Sequence, residues 1–142
     1  MKLDHDLVRY TLLSIEASEN FSGPSEDELL ERINKYHPYD RKQVVYTIDK
    51  LKEANYISGK VTYANDQPMW INAGNLTYEG HKFLDNIRDD GIWKDTKKVV
   101  SKLSSVSLPI IANVASTLIA QWISQIAVSV TKLVVMNANQ RS

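Results

Sequence analysis

Apolar residues recur at helical spacing from the start of the chain. Leu7, Val8, Leu12, Leu13 and Ile15 form a broad stripe that predicts a helix over about residues 4–17, with Asp4 and Asp6 at the positive end of its dipole. The run from Glu19 to Pro24 breaks it at Gly23-Pro24. Ser25 followed by Glu28 has the capping-box spacing, which opens a second helix over roughly 26–36 with Leu29, Leu30 and Ile33 inward. His37-Pro38 ends it, because the residue before proline is pushed out of the helical region. Asp40 and Gln43 repeat the signature, and a third helix runs to about Ala54. It buries Val44, Val45, Ile48 and Leu51 and leaves Arg41, Lys42, Tyr46, Asp49 and Lys50 outside.

Two extended runs follow, Tyr56–Tyr63 and Met69–Asn72, joined by turn-forming residues from Ala64 to Pro68. Val61 and Tyr63 alternate with Lys60 and Thr62, the period of a half-buried strand. Three helices and then a hairpin is the element order of a winged helix-turn-helix domain, and a short strand around Phe21 is expected to complete its sheet. Thr77 caps a further helix through Arg88 on Phe83, Leu84 and Ile87. After the interruption at Asp90-Gly91, a more charged bracing helix carries Ile92, Trp93, Val99, Val100 and Leu103. The expected fold is therefore mainly α with a small β-hairpin wing. Its parts are a domain over 1–104, a long apolar helix over 107–136, and a disordered tail over 137–142.

That last helix changes the picture most. No charged residue occurs among the 29 positions from Leu103 to Thr131, and Pro109 sits where a first helical turn accepts proline. Asn113, Ser116, Thr117, Gln121, Ser124 and Gln125 recur on one side. Ile111, Val114, Leu118, Ile119, Trp122, Ile123, Ile126, Val130 and Leu133 cover a wide opposite side and are the candidate oligomer interface. A bilayer crossing needs about 20 apolar residues, which the run supplies, but the polar stripe would then need partners inside the lipid. A helix lying on a membrane brings Lys or Arg on its polar face, and this stretch has neither. Left in water, each fully exposed Leu or Ile would forgo roughly 1.5–3 kcal/mol. Cover by protein is expected, first by other copies of the chain, with membrane insertion and folding back on its own domain as the alternatives.

Composition narrows the chemistry. There is no cysteine, hence no disulfide, thiolate ligand or thiol nucleophile, which suits a reducing cytoplasmic setting. The acidic start is unlike a signal peptide. Seventeen acidic and seventeen basic residues give zero net charge, and every acidic one lies between Asp4 and Asp95. A dedicated nucleic-acid binder usually has a basic domain, so any DNA contact must come from a local patch. Arg41, Lys42, Gln43, Tyr46 and Lys50 on the third helix, with Lys60 on the wing, are the candidates for phosphate and base contact. Asp40, Asp49, Glu53 and Asp66 dilute them, and an ordinary solvated face or a protein contact explains the same residues.

Leu76–Trp93 reads LTYEGHKFLDNIRDDGIW, and this run resembles a family of short winged-helix proteins found mostly in Gram-positive bacteria and their prophages. The opening Asp4–Arg9, the Leu51–Ile57 run and Ser105–Pro109 are similar to the same family, so that the likeness extends to about residue 125. The resemblance implies a phage or mobile-element setting and carries no catalytic residues. Within that run His81 and Asp85 share a helical face, but two ligands do not make a metal site. Gly80 is expected to allow close packing and Arg88 to pair with an acid. The five glycines never cluster, and no nucleophile elbow, phosphate loop or zinc-protease motif occurs. No enzyme activity, metal or cofactor is expected. The expected partners are further copies of the chain, with duplex DNA or a host protein beyond them.

Overall fold

The computed structural model describes residues 1–141 as six helices and one hairpin: α1 (His5–Glu16), α2 (Glu26–Tyr36), α3 (Arg41–Glu53), β1 (Lys60–Ala64), β2 (Gln67–Asn72), α4 (Tyr78–Ile87), α5 (Asp90–Val100) and α6 (Leu108–Arg141). The chain divides into two compact units, one from Met1 to Arg88 and a second beginning at Asp89. The division falls well before residue 104, where the sequence pattern placed it. It separates the bracing helix α5 from the first unit.

In the first unit Ser25, Asp40 and Thr77 cap their helices as expected, and Asp4, read only as a dipole partner, caps α1; each accepts a hydrogen bond from the backbone N–H three positions on. Gln43 completes a capping box with Asp40, while the Glu28 carboxylate accepts from Arg32 instead. α1 is central, packing on α2, α3 and α4. Leu7, Val8, Leu12 and Ile15 meet Leu29 and Ile33 of α2 and Val44, Ile48 and Leu51 of α3 in a core closed by Phe83, Leu84 and Ile87. Leu13 and Leu30, read as inward, are only half-buried.

The turns hold what hydrophobic spacing cannot report. α3 ends in a Schellman arrangement: Asn55 stands at φ 62°, its N–H donates to Lys52 O, and the N–H of Tyr56 reaches back to Leu51 O. The hairpin turns on Asn65 and Asp66, both at positive φ (54° and 61°), the two-residue geometry that matches strand twist. Pro68 lies inside β2, at a register shift between Thr62 and Tyr63, where a missing N–H is tolerated. The shift leaves Tyr63 exposed while Val61 and Ile71 stay buried.

The strand expected around Phe21 is absent: the sheet has two strands, and Phe21 is fully exposed in a turn. An isolated bridge between Ile57 and Leu76 stands beside the hairpin instead. Gly23 and Gly74 meet so closely that a Cβ on Gly23 would lie 1.9 Å from the Gly74 carbonyl oxygen, contact that leaves no room for a side chain. Gly80 is likewise pressed against the backbone of Tyr56, as its place in the motif suggested; a Cβ there would lie 2.0 Å from the Tyr56 oxygen.

Arg9 is the residue that spacing on α1 missed. It is buried, at 7% exposure, and its Nε donates to Ile87 O at 2.9 Å and its Nη2 to Arg88 O at 2.5 Å. The guanidinium thus closes the C-terminal end of α4, where carbonyls lack intrahelical partners and the dipole favours a cation. By contrast Thr11 Oγ1 and Ser14 Oγ, also buried on α1, have no hydrogen-bond partner among the described residues.

In the second unit α5 packs on the first part of α6, and Trp93, Thr96, Ile111 and Ala115 are buried. Helix α6 runs on to Arg141. Residues 137–141, expected to be disordered, are helical, and Ser142 lies outside the described residues.

Replacing Arg9 by Met keeps an apolar stem but leaves the Ile87 and Arg88 carbonyls unpaired. The expected loss is about 2 kcal/mol, the worth of hydrogen bonds to a charged group, seen as a lower urea midpoint at unchanged slope.

Candidate functional site

Two surfaces gather the sequence candidates: the outer face of α3 with the hairpin, and the exposed length of α6.

On α3 most of the polar side chains are committed inside the fold. Arg41 pairs with Glu26 through a short contact, and its two terminal nitrogens donate to Pro68 O at 3.2 Å and Met69 O at 3.1 Å. Glu26 in turn accepts from the N–H of Ile71 at 3.3 Å. One arginine and one glutamate therefore pin β2 to the starts of α2 and α3. Asp49 accepts from the Tyr63 hydroxyl, which fixes β1 to the same helix, and this bond raises the Tyr63 pKa. The Gln43 side chain is spent on the Asp40 cap. Lys50 pairs with Glu53 at 3.1 Å and lies 5.5 Å from the centre of the Tyr46 ring; the Glu53 contact raises its pKa. Lys42 and Lys60 are exposed and make no ion pair among the described residues. Of the six candidates for DNA contact, two lysines and the half-buried Tyr46 remain available. Beside them the hairpin presents Tyr63, Met69 and Trp70, about half exposed each.

The motif around α4 is an ion-pair network. Arg88 donates from both terminal nitrogens to the two carboxylate oxygens of Glu16 at 2.6 Å and from one of them to Asp85 at 3.1 Å. His81 Nδ1 stands 3.6 Å from Glu16. The network joins the end of α1 to the end of α4, and Arg88 has the acidic partner expected of it. No group of three or more His, Asp or Glu side chains is placed to hold a metal ion among the described residues.

On α6 the candidates divide by position. Ile111 is 1% exposed, so this member of the expected oligomer interface is already covered within the chain, because α5 packs over the first turns of α6. Val114, Leu118 and Ile119 are half-buried. From Trp122 onward the helix is exposed throughout: Trp122 59%, Ile123 55%, Ile126 40%, Val130 53% and Leu133 58%. Val128, Val134, Val135 and Met136 add to the uncovered apolar surface.

Residues 2–107 match the family described as "Hypothetical protein (DUF2513)". The chain belongs to this family. It is also 33% identical over 125 residues to a Haemophilus influenzae protein that bears the description "Uncharacterized protein", covering 87% of this chain and 100% of that one. No solved structure matches the chain. The family match stops at the residue before α6, short of the position near 125 to which the resemblance of motifs extended. A 125-residue alignment on a 142-residue chain nevertheless has to enter α6, so the relative shares at least its beginning.

Glu16 supplies a pH dependence. The Arg88 hydrogen bond holds its carboxyl below the ordinary value of 4.5. A carboxylate with a lowered folded pKa contributes stability in full above its unfolded value and loses it as pH falls through the folded one. Stability is therefore expected to decline as pH drops below about 4.5, and Glu16→Gln to flatten that decline while lowering stability at neutral pH, as read by urea unfolding across pH 3–7.

Proposed function

We propose that this protein is a non-enzymatic interaction factor that assembles through α6 and presents its helical head, read as a winged helix, to a protein partner. The single observation that carries this reading is the uncovered row on α6. Ile119, Ile123, Ile126, Val130 and Leu133 follow one another at steps of four and three residues, the repeat of a coiled-coil seam, and four of the five are exposed. A contiguous apolar surface of this length, uncovered within the chain, marks an interaction site. The exposed Met69 and Trp70 of the hairpin favour a protein as the partner of the head. A phage or mobile-element setting rests on the resemblance of the Leu76–Trp93 run alone.

By length and composition α6 also meets the requirement for crossing a membrane, with a mean hydropathy of 1.5 over an 18-residue window of which none is buried. The hydroxyls of Ser116, Thr117 and Thr131 bond back to their own helix. Gln121, Gln125 and Lys132 have no such provision, and in hydrocarbon their amides and charge would each need a partner. Self-association requires nothing of them, since the polar stripe can face water.

Light scattering decides between these. The full chain is expected at a multiple of its 16.1 kDa mass, and Ile126→Glu with Val130→Glu to run as a monomer of unchanged helicity. A monomeric full chain at tens of micromolar that pellets with anionic phosphatidylcholine–phosphatidylglycerol vesicles would turn the reading to membrane attachment.

Duplex binding is the second reading, favoured by the unpaired Lys42 and Lys60 on the α3 and hairpin side. An assembled chain would multiply such weak contacts by raising their effective concentration. On this reading Lys42→Glu with Lys60→Glu weakens binding to a 20-base-pair duplex, and each lysine lost lowers the salt slope by about 1. Equal binding by the double variant would rule it out.

A further inference from the structure

The uncovered face of α6 begins where α5 ends, and the junction is a built pocket. Residues 101–107 join the C-terminus of α5 to the N-terminus of α6, so the two helices run antiparallel and the start of α5 lies beside Ile119–Ile123. There Asp89, Ile92 and Asp95 of α5 face Ile119, Trp122 and Ile123 across a cavity of about 410 Å³. Asp89 keeps one oxygen on the N–H of Ile92 as the helix cap, and Asp95 has no partner among the described residues. A second groove of about 390 Å³ shares Trp122 and continues past it along Ile126, Val130 and Leu133. The two form one track, roofed by α5 as far as Trp122 and open beyond.

We propose that the α6 of a second copy lies antiparallel in the open part of this track, and that its Arg141 enters the pocket formed by Asp89, Asp95 and Trp122. The proposal rests on the self-association reading above and adds to it the direction, the register and the contact. Direction follows from charge. Two carboxylates beside an indole, with no cation among the lining residues, are a receptor for a guanidinium, which stacks on an aromatic ring and bridges carboxylates. Arg141 is the only arginine on α6, on the same helical stripe as Val130, Val134 and Asn137. An antiparallel neighbour also brings the negative end of its dipole to the positive end of α5. A parallel neighbour would set the acidic pockets side by side and hold Arg141 about 30 Å away.

Register follows from the same contact, since seating Arg141 of one copy beside Trp122 of the other fixes every further pair along α6. With Trp122 facing Arg141 of the second copy, Ile126 faces Asn137 and Val130 faces Leu133. The two-fold axis then passes between Thr131 and Lys132. Each α6 is covered along its whole face, first by its own α5 and then by its neighbour.

The chain has no cysteine, so single introduced cysteines report the pairing without background. Full-length Ile126→Cys and Asn137→Cys are oxidised alone and as a mixture, with light scattering on each. The expected result is a mixed 126–137 disulfide and no disulfide-linked dimer from either variant alone, each still dimeric by light scattering, since identical positions would stand about 16 Å apart, beyond disulfide reach. In addition Arg141→Glu is expected to weaken the dimer about tenfold and Asp95→Arg in the same chain to restore it. A dimer that forms 126–126 disulfides overturns the antiparallel arrangement and leaves self-association standing, and so does a dimer indifferent to Arg141→Glu for the pocket contact. A chain that stays monomeric removes both readings together.

Discussion

The second unit is governed by a mismatch of lengths. Helix α5 has 11 residues and α6 has 34, so at 1.5 Å per residue a brace of about 16 Å is laid against a rod of about 50 Å. Where the brace lies, side chains are buried, as Ile111 and Ala115 are; where it has run out, apolar side chains of the same kinds stand in solvent. Burying a large aliphatic side chain is worth roughly 1.5–3 kcal/mol, and α6 forgoes that several times over beyond Ala115. Continuity of the helix over its full length makes the exposure a property of the chain's design and not of a frayed end.

The first unit is arranged in the opposite spirit, with its charges turned on one another. Glu26 and Arg41 tie the hairpin to α2 and α3, and Asp49 holds it from β1. Glu16, Arg88 and Asp85 join α1 to α4, while Arg9 closes α4 from inside. An arginine that serves three internal acceptors has little left to offer a phosphate. Besides Lys42 and Lys60 the head exposes the aromatic and apolar Phe21, Met69, Trp70 and Tyr78, the material of protein interfaces more than of nucleic-acid grooves. A chain of zero net charge, with Arg41, Lys50 and Arg88 engaged internally, has little electrostatic reach toward a polyanion.

How much of this was legible in the sequence depended on the range of the interaction. Asp4, Ser25, Asp40 and Thr77 announce helix starts because a cap and its partner are three residues apart, and Leu7, Leu12, Ile33 and Ile48 announce a core because burial follows helical period. Arg9 sits on the same helix as that stripe, yet its partners are 78 and 79 residues away, and nothing local distinguishes it from a solvated arginine. Arg41 was read outward for the same reason: its acceptors are carbonyls of the hairpin, and carbonyls have no side-chain signature. The strand expected at Phe21 was an inference from a fold's usual completeness, with only a single apolar residue behind it. On α6 the sequence showed that cover was needed, but which residues α5 already covers depends on where α5 packs. Ile111 is therefore buried within the chain while Trp122 and Val130 are not.

The family boundary bears on how the two halves divide their work. The family match spans residues 2–107 and closes just before Leu108, so the caps, the hairpin ties, the α4 network and α5 all lie within the matched stretch. Asp89, Ile92 and Asp95 fall inside the matched stretch, whereas Trp122 and Arg141 lie beyond it. The pocket in this chain thus takes its acidic wall from within that stretch and its aromatic wall from α6. The Haemophilus relative aligns over 125 residues, which carries the alignment past Leu108. If α6 is the assembling element, the head can be one scaffold used throughout the family, with the length and sequence of the following helix setting whether, and in which register, its copies meet.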